Sequence, residues 1–193
     1  KSVSWNQEAV TYTANNLNQY MVVNGISPTY DASGNTTFDG RNNLVYDYAN
    51  RPVRIENEKY IVEIQYNALG RRIEKKVTAK EQKVTEPDEE PHLGTIRFYY
   101  DGGRVIEDRD ENNAVFRTYF WGIEIDELIM VERGNEGAPQ GRKLYFHSNA
   151  MGTITHISNE KGEIEESYNY TVYGKVAIYD GKGNLRENSR LHN

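Results

Sequence analysis

The stretch Tyr30-Asp-Ala-Ser-Gly-Asn-Thr-Thr-Phe-Asp-Gly40, with Leu44-Val-Tyr-Asp-Tyr-Ala-Asn-Arg-Pro-Val53 after it, decides the fold. In each part a Tyr-Asp pair opens a short polar run, and an extended run follows. The polar runs contain Ser33-Gly-Asn35 and Asp39-Gly40, and glycine and asparagine tolerate the positive φ that tight hairpin turns need. The stretch therefore predicts consecutive β-hairpins.

Tyrosines that open a polar turn recur along the chain, which indicates an internal repeat. They are separated by 18, 16 and 20 residues, and then by 34 residues across a loop insertion. Such a spacing suits one strand-turn-strand unit. These tyrosines are Tyr12, Tyr30, Tyr46, Tyr66 and Tyr100.

Apolar and polar residues alternate between the turns. In Tyr60-Ile-Val-Glu-Ile-Gln-Tyr66, one face is apolar and the other carries Glu63 and Gln65. Period-two alternation is typical of a strand packed on one side. We predict further strands of this kind at 95–100 and 164–170, whereas 123–131 fits a strand or a short helix equally well.

Two stretches interrupt this rhythm, at 78–94 and at 133–141. Proline, glycine and charge predict that both are loops or disordered insertions between paired strands. The sequence therefore predicts an all-β chain, an open and curved antiparallel sheet of successive hairpins. Its unpaired strand edges, expected at Val3–Thr13 and Tyr173–Tyr179, would favour self-association.

Composition excludes several classes of function. The chain has 193 residues, 23 Lys+Arg against 29 Asp+Glu, and a net charge of -6 without a basic block, so we expect no nucleic-acid partner. It has no cysteine, which excludes disulfides and thiol nucleophiles. No apolar run approaches the roughly 20 residues that span a bilayer, so we expect no membrane span.

The polar residues form no recognisable catalytic or metal-binding motif. The four histidines are scattered, and we expect His147 to be a strand residue hydrogen-bonded into the sheet. The run 108–112 resembles a calcium loop but lacks its glycine and its bidentate glutamate, which favours a hairpin turn. We expect the pairs Glu124/Asp126 and Glu163/Glu165 to be solvated residues on strand faces. We therefore predict no enzyme activity, no catalytic residue, no metal and no cofactor.

The chain resembles RHS/YD-repeat proteins in two places. The stretch 30–53 is similar to two YD repeats, in which Tyr-Asp, two variable residues and Gly-Asn precede a strand. Residues 144–174, with Leu144-Tyr-Phe-His-Ser-Asn-Ala-Met-Gly152 and Tyr173-Gly174, resemble the opening of the RHS-associated core. The chain departs from this pattern at Asn149, where the family has aspartate, and at Thr171-Val172, where it has Asp-Pro. The structural repeat positions are Tyr30, Asp31, Gly34, Asn35, Tyr46, Asp47, Tyr66, Gly70, Tyr100, Asp101, His147, Gly152, Tyr173 and Gly174.

The resemblance implies a hollow shell whose wall is built from such repeats and which encapsulates or displays a C-terminal toxin or other cargo domain. It implies repeat hairpins at 1–143 and the start of the core, truncated at its C-terminus, at 144–193. The partners would be neighbouring repeats and the appended domain, and the protein would be secreted or at the cell surface. The main alternative is an adhesion module that binds carbohydrate or a receptor through exposed aromatic residues such as Trp121. A hydrolase or self-cleaving protease is a third hypothesis, and the least favoured.

Overall fold

The computed structural model describes residues 2–5, 8–80, 93–134, 142–172 and 174–186, with the backbone alone for the part before residue 11. Strands and turns account for these residues, and none of those described lies in a helix. The chain divides into two compact units, Lys1–Val84 and Thr85–Asn193. The all-β class predicted from the sequence is confirmed.

The first unit contains two antiparallel sheets. A three-stranded sheet has the order β1-β2-β3, and the six strands that follow pair in sequence order from β4 to β9. In the described residues, these strands are β1 Ser2–Trp5, β2 Glu8–Ala14, β3 Tyr20–Val23, β4 Thr29–Tyr30, β5 Thr36–Phe38, β6 Asn43–Tyr46, β7 Pro52–Glu56, β8 Tyr60–Tyr66 and β9 Arg72–Ala79.

The second unit is one antiparallel meander, in which each strand pairs with the next. Its described strands are β10 Gly94–Asp101, β11 Arg104–Arg109, β12 Val115–Trp121, β13 Leu128–Arg133, β14 Arg142–Ser148, β15 Ile154–Ser158, β16 Ile164–Tyr170, β17 Val176–Asp180 and β18 Leu185–Arg186. Among the described strands, β18 pairs with β17 alone.

The predicted alternation places the core on one face of the first unit's sheet. Tyr60 and Ile64 of β8 are buried, and so is Val77 of β9, whereas Glu63 and Gln65 are exposed. Burying side chains of this kind contributes about 1.5–3 kcal/mol each. The strands predicted at 60–66, 95–100 and 164–170 are all present.

A second core lies across β14 to β17. Leu144 and Ile157 are fully buried and Tyr168 nearly so. Partly buried apolar side chains of the same strands, Phe146, Ile154 and Ile178, pack against these three. The core is therefore a strip along one face of a sheet.

Three expectations need correction. The stretch 123–131 is neither one strand nor a helix, because residues 123–127 form the turn that joins β12 to β13. Tyr173–Tyr179 is not a free edge, because β17 pairs with both β16 and β18. The other predicted edge includes β1, which lies at the end of its sheet. The predicted loops extend less far than 78–94 and 133–141, since β9, β10 and β13 occupy their ends, and the remaining parts, 81–92 and 135–141, lie outside the described residues.

Candidate functional site

The turn that follows β4 shows how the Tyr-Asp repeat works. Asp31 Oδ1 accepts hydrogen bonds from the backbone N–H groups of Ser33 and Asn35, both at 2.9 Å. The backbone adds two bonds, Asp31 N–H to the Asn35 carbonyl at 2.9 Å and Gly34 N–H to the Asp31 carbonyl at 3.1 Å. Gly34 has a φ of 87°, a value that disfavours residues with a Cβ. The Asn35 amide donates to the second carboxylate oxygen and lowers the pKa of Asp31.

The same five-residue turn recurs throughout the described chain. The first residue supplies a side-chain acceptor, and the fourth is a glycine or asparagine with positive φ. Asn149 accepts the same two backbone hydrogen bonds as Asp31, so an asparagine can also open this turn. In the described residues the turns are 15–19, 31–35, 47–51, 67–71, 110–114, 149–153, 159–163, 171–175 and 180–184.

The repeat tyrosines connect each turn to the strand before it. The Tyr46 hydroxyl donates to the Thr36 carbonyl at 3.0 Å, and the Tyr66 hydroxyl donates to the Pro52 carbonyl at 3.0 Å. Tyr30 makes the equivalent bond at 3.1 Å. Each hydroxyl thus ties its tyrosine to the backbone of the preceding strand.

Successive turns also contact one another in the first unit. The Asn35 amide donates to Asn50 Oδ1 at 2.8 Å, which joins turn 31–35 to turn 47–51. Arg51 bonds Asp47 at 2.6 Å and lies 4.7 Å from the centre of the Tyr66 ring. The Arg51 guanidinium lowers the pKa of Asp47. The turns are therefore structural elements of the repeat.

The other predicted positions have different surroundings. Tyr12 lies within β2, three residues before its turn, and packs edge-on against Tyr20 at 5.3 Å. Tyr100 and Asp101 end β10 and precede a tight Gly-Gly hairpin rather than the five-residue turn. Gly70, Gly152 and Gly174 are fourth residues of their turns, and Tyr173 lies outside the described residues.

His147 is an exposed residue of β14 whose Nε2 lies 2.8 Å from Ser158 Oγ, so it is hydrogen-bonded into the sheet as predicted. His92 and His192 fall outside the described residues. In the part of the chain that the structure describes, no cluster of three potential metal ligands occurs.

Two buried carboxylates were missed by the sequence analysis. Asp108 of β11 and Glu166 of β16 are 1% and 0% exposed. The Tyr119 hydroxyl donates to Asp108 at 2.6 Å, and burial, together with this carboxylate, raises the pKa of Tyr119 to about 12. The Asp108 carboxylate also faces Arg117 at 3.8 Å. The calcium-loop resemblance is thereby excluded, because Asp108 points into the sheet and Asp110 opens a hairpin turn.

Glu166 has an equivalent set of partners. The Tyr168 hydroxyl donates to one of its carboxylate oxygens at 2.7 Å, and Arg186 donates to the other at 3.0 Å. These bonds satisfy a charge that would be costly to bury alone, and they tie the short strand β18 to β16. In both clusters the carboxylate is neutralised by an arginine, which is the arrangement of a structural ion pair.

The carboxylate pairs that we expected on strand faces lie wholly or partly in turns. Glu124 and Asp126 are exposed but lie in the turn before β13. Glu163 ends a turn, and Glu165 bonds Arg142 at 2.7 Å. Burial opposes ionisation of Glu165, but the hydrogen bonds from Arg142 and Asn159 and the nearby positive charges together lower its pKa. None of these groups is paired with a nucleophile in the described residues.

The first unit has a shallow cavity of about 450 Å³. Lys80 at its rim is bonded to Glu56 at 2.6 Å, and Asn57 caps the β7–β8 turn through the N–H groups of Lys59 and Tyr60. Asn57 therefore stabilises the turn, and Lys80 forms an ion pair with Glu56. Its lining residues are Phe38, Gly40, Arg41, Asn43, Asn57, Glu58, Lys59 and Lys80.

The aromatic residues proposed as a sugar platform are partly engaged within the sheet. The Trp121 indole N–H donates to the Val105 carbonyl at 2.7 Å, and its ring stacks on Tyr119 at 6.3 Å. Phe120 on the opposite face is 42% exposed. Trp121 therefore serves the packing of β11 against β12.

No family model matches the chain. It is 25% identical over 186 residues to the tRNA3(Ser)-specific nuclease WapA of Bacillus spizizenii, and 26% identical over the same length to the tRNA nuclease WapA of Bacillus subtilis. Both alignments cover 94% of the chain. A further relative is the double-stranded DNA deaminase toxin A of Burkholderia cenocepacia, 24% identical over 152 residues and 72% of the chain. The chain spans 7% of the length of the two WapA proteins and 10% of the deaminase toxin.

Similar solved structures are the crystal structures of TcdB2-TccC3 and of TcdB2-TccC3 without hypervariable C-terminal region. Their TM-scores are 0.46 and 0.47, their identities 14% and 15%, and each match covers 92% of this chain and 13% of the other. No helix long and apolar enough to cross a membrane occurs in the described residues. The repeated Tyr-Asp turns, the open antiparallel sheets and these sequence relatives confirm the resemblance to RHS/YD-repeat proteins that the sequence predicts.

Proposed function

We propose that the chain is a non-catalytic segment of the wall of an RHS-type shell that encapsulates or displays a C-terminal toxin or other cargo domain. The observation that carries this proposal is the way the strands pack. Among the described strands of each unit, those that make extensive contacts with one another are neighbours in sequence. A sheet of successive hairpins without a covering layer is suited to forming a wall.

The internal polar clusters support a structural role. A catalytic acid or base must reach a substrate, whereas Asp108 and Glu166 are buried and bonded to tyrosine and arginine side chains. The turn aspartates are likewise engaged with backbone N–H groups. The buried carboxylates and the turn aspartates therefore stabilise the sheet.

The sequence relatives support the toxin context. They are named as two tRNA nucleases and a DNA deaminase toxin, and this chain corresponds to a small part of each. We infer that the nuclease or deaminase chemistry lies in another part of such proteins. Residues 1–143 would then be repeat hairpins, residues 144–193 the start of the RHS-associated core, and the parent protein would be secreted or displayed at the cell surface.

Electron microscopy of the purified parent protein tests the shell. An antibody epitope inserted into the exposed turn 159–163 marks this segment, and we expect the label on the wall of a hollow particle. A solid particle, or a label on an extended arm, would contradict the proposal. An epitope in turn 67–71 provides a matched second position in the other unit.

The absence of catalysis is tested on this chain alone. We expect no cleavage of tRNA, no deamination of double-stranded DNA and no change in intact mass on prolonged incubation. A defined fragment that disappears on substitution of one aspartate or glutamate would overturn this expectation. Carbohydrate-array binding that is lost in Trp121→Ala would favour the adhesion module instead.

A further inference from the structure

The two edges of the second unit's sheet differ in polarity. Because the strands form an antiparallel meander, alternate connections lie at the same edge. One edge carries the turns 102–103, 122–127, 149–153 and 171–175, and the other carries 110–114, 159–163 and 181–184. Here an edge is the row of turns at one end of the strands, and not an outermost strand. We call the first row the apolar edge and the second row the charged edge.

The apolar edge exposes a row of large aliphatic side chains. Ile123, Ile125, Met151 and Val172 are 96%, 90%, 86% and 94% exposed. In the described turns of the charged edge, the exposed side chains other than that of Ala114 are polar or charged, among them Glu111, Glu160, Lys161 and Lys182. The two ends of the same strands therefore differ in the polarity of their exposed turn residues.

The turn conformation does not require these apolar residues. Turns 149–153 and 159–163 have the same backbone and side-chain hydrogen bonds. At their second and third positions the first has Ala150 and Met151, and the second has Glu160 and Lys161. Charged residues therefore suit the turn, and the exposed row at one edge indicates a contact surface.

The order of the turns suggests what covers this surface. Turn 149–153 lies between 122–127 and 171–175, two strands from each, which is about 10 Å at the usual strand spacing. A twofold axis through turn 149–153 would place Met151 against Met151 and the 122–127 turn of one copy against the 171–175 turn of the other. Ile123 and Ile125 would then face Val172.

The charges fit the same arrangement. Glu124 and Asp126 are exposed in the first of these turns, and Lys175 is exposed in the last. The twofold arrangement brings these opposite charges together at both ends of the row, and the central turn carries no charge. Electrostatic complementarity of this kind favours one register of association.

We propose that the apolar edge of the second unit is a self-association surface, which pairs with the apolar edge of a second copy about a twofold axis at Met151. The first unit shows the same division separately: Tyr48 and Leu69 are exposed in turns at one edge, and Arg41, Glu58 and Lys59 at the other. Four apolar side chains bury less than the roughly 800 Å² per partner of a stable complex. The contact is therefore weak for a pair of these chains.

Disulfide trapping can detect a weak contact, because the covalent bond retains dimers that form transiently. The chain has no cysteine, so each single-cysteine variant contains one thiol. Met151→Cys places a thiol on the proposed axis, and Lys161→Cys places one at a matched position on the charged edge. Under mild oxidation at equal concentration, we expect the first variant to form disulfide dimers at least tenfold faster. Equal rates, or a faster Lys161→Cys, would overturn the proposal.

Two further variants separate association from thiol reactivity. In the Met151→Cys background, Ile125→Ser with Val172→Ser is expected to slow trapping to the rate of the charged-edge variant. Lys175→Glu is expected to slow it as well, and Glu124→Lys in addition to restore it. Trapping that none of these changes affects would show a reactive thiol alone and would refute the contact. The outcome is independent of whether the parent protein forms a shell.

Discussion

The hydroxyl groups of the repeat tyrosines offer the sharpest test of how the sheet is stabilised. Tyr46→Phe removes the hydrogen bond to the Thr36 carbonyl while keeping the ring, and such a bond contributes about 0.5–1.5 kcal/mol. For a unit of this size, about 1 kcal/mol lowers the melting temperature by about 4–8 °C. Tyr46→Ala also removes a half-buried ring, whose full burial is worth about 1.5–3 kcal/mol, so we expect roughly twice the loss.

Thermal and urea unfolding, followed by circular dichroism, measure both effects. Tyr66→Phe should match Tyr46→Phe, because its hydroxyl makes the equivalent bond to Pro52. Tyr48→Phe is the control, since this tyrosine is 94% exposed in the turn that follows Tyr46, and we expect a change within about 0.5 kcal/mol. If all three phenylalanine variants melt together and Tyr46→Ala melts within a degree of the parent, the tyrosines do not hold the sheet.

Three further changes test the turns and the buried ion pair. Gly34→Ala places a Cβ at a φ of 87° and should lower the free energy of unfolding, measured in urea, by about 1–2 kcal/mol. Gly103→Ala is the control and should change it little, because Gly103 is outside the positive-φ region and has open space around its Cβ. Equal urea midpoints for the two variants would contradict the turn geometry. Arg51 lowers the pKa of Asp47, so the charged carboxylate stabilises the fold above its unfolded pKa of about 3.9 and this contribution is lost as the pH falls through the lower folded pKa. The melting temperature of Asp47→Asn should therefore decrease less than that of the parent chain when the pH is lowered below about 4. The same decrease in both proteins would argue against this contribution. Glu166→Gln leaves an arginine without its charge partner and should increase hydrogen exchange in β17 and β18 relative to β12, while equal protection would show that this pair does not anchor the end of the sheet.

The sequence by itself determined the elements and the type of fold. Alternation in Tyr60–Tyr66 predicts a strand because the side-chain period of two is a local property of extended backbone. The glycines and asparagines that adopt positive φ mark the turns for a similar reason, since their steric freedom does not depend on distant contacts. The five-residue spacing from Asn67 to Arg71 is also present in the sequence, directly after the repeat tyrosine Tyr66.

Tertiary structure decided which polar residues are buried and which apolar residues are exposed. Glu166 lies on the same strand face as Tyr168, and alternation cannot tell that the middle of β16 is covered while Ile164 and Tyr170 at its ends are not. The division into an apolar and a charged edge depends on strand order, because only the pairing of successive hairpins places turn 122–127 beside turn 149–153. Burial and edge polarity are properties of neighbouring strands, and the identity of those neighbours is settled only when the chain pairs with itself.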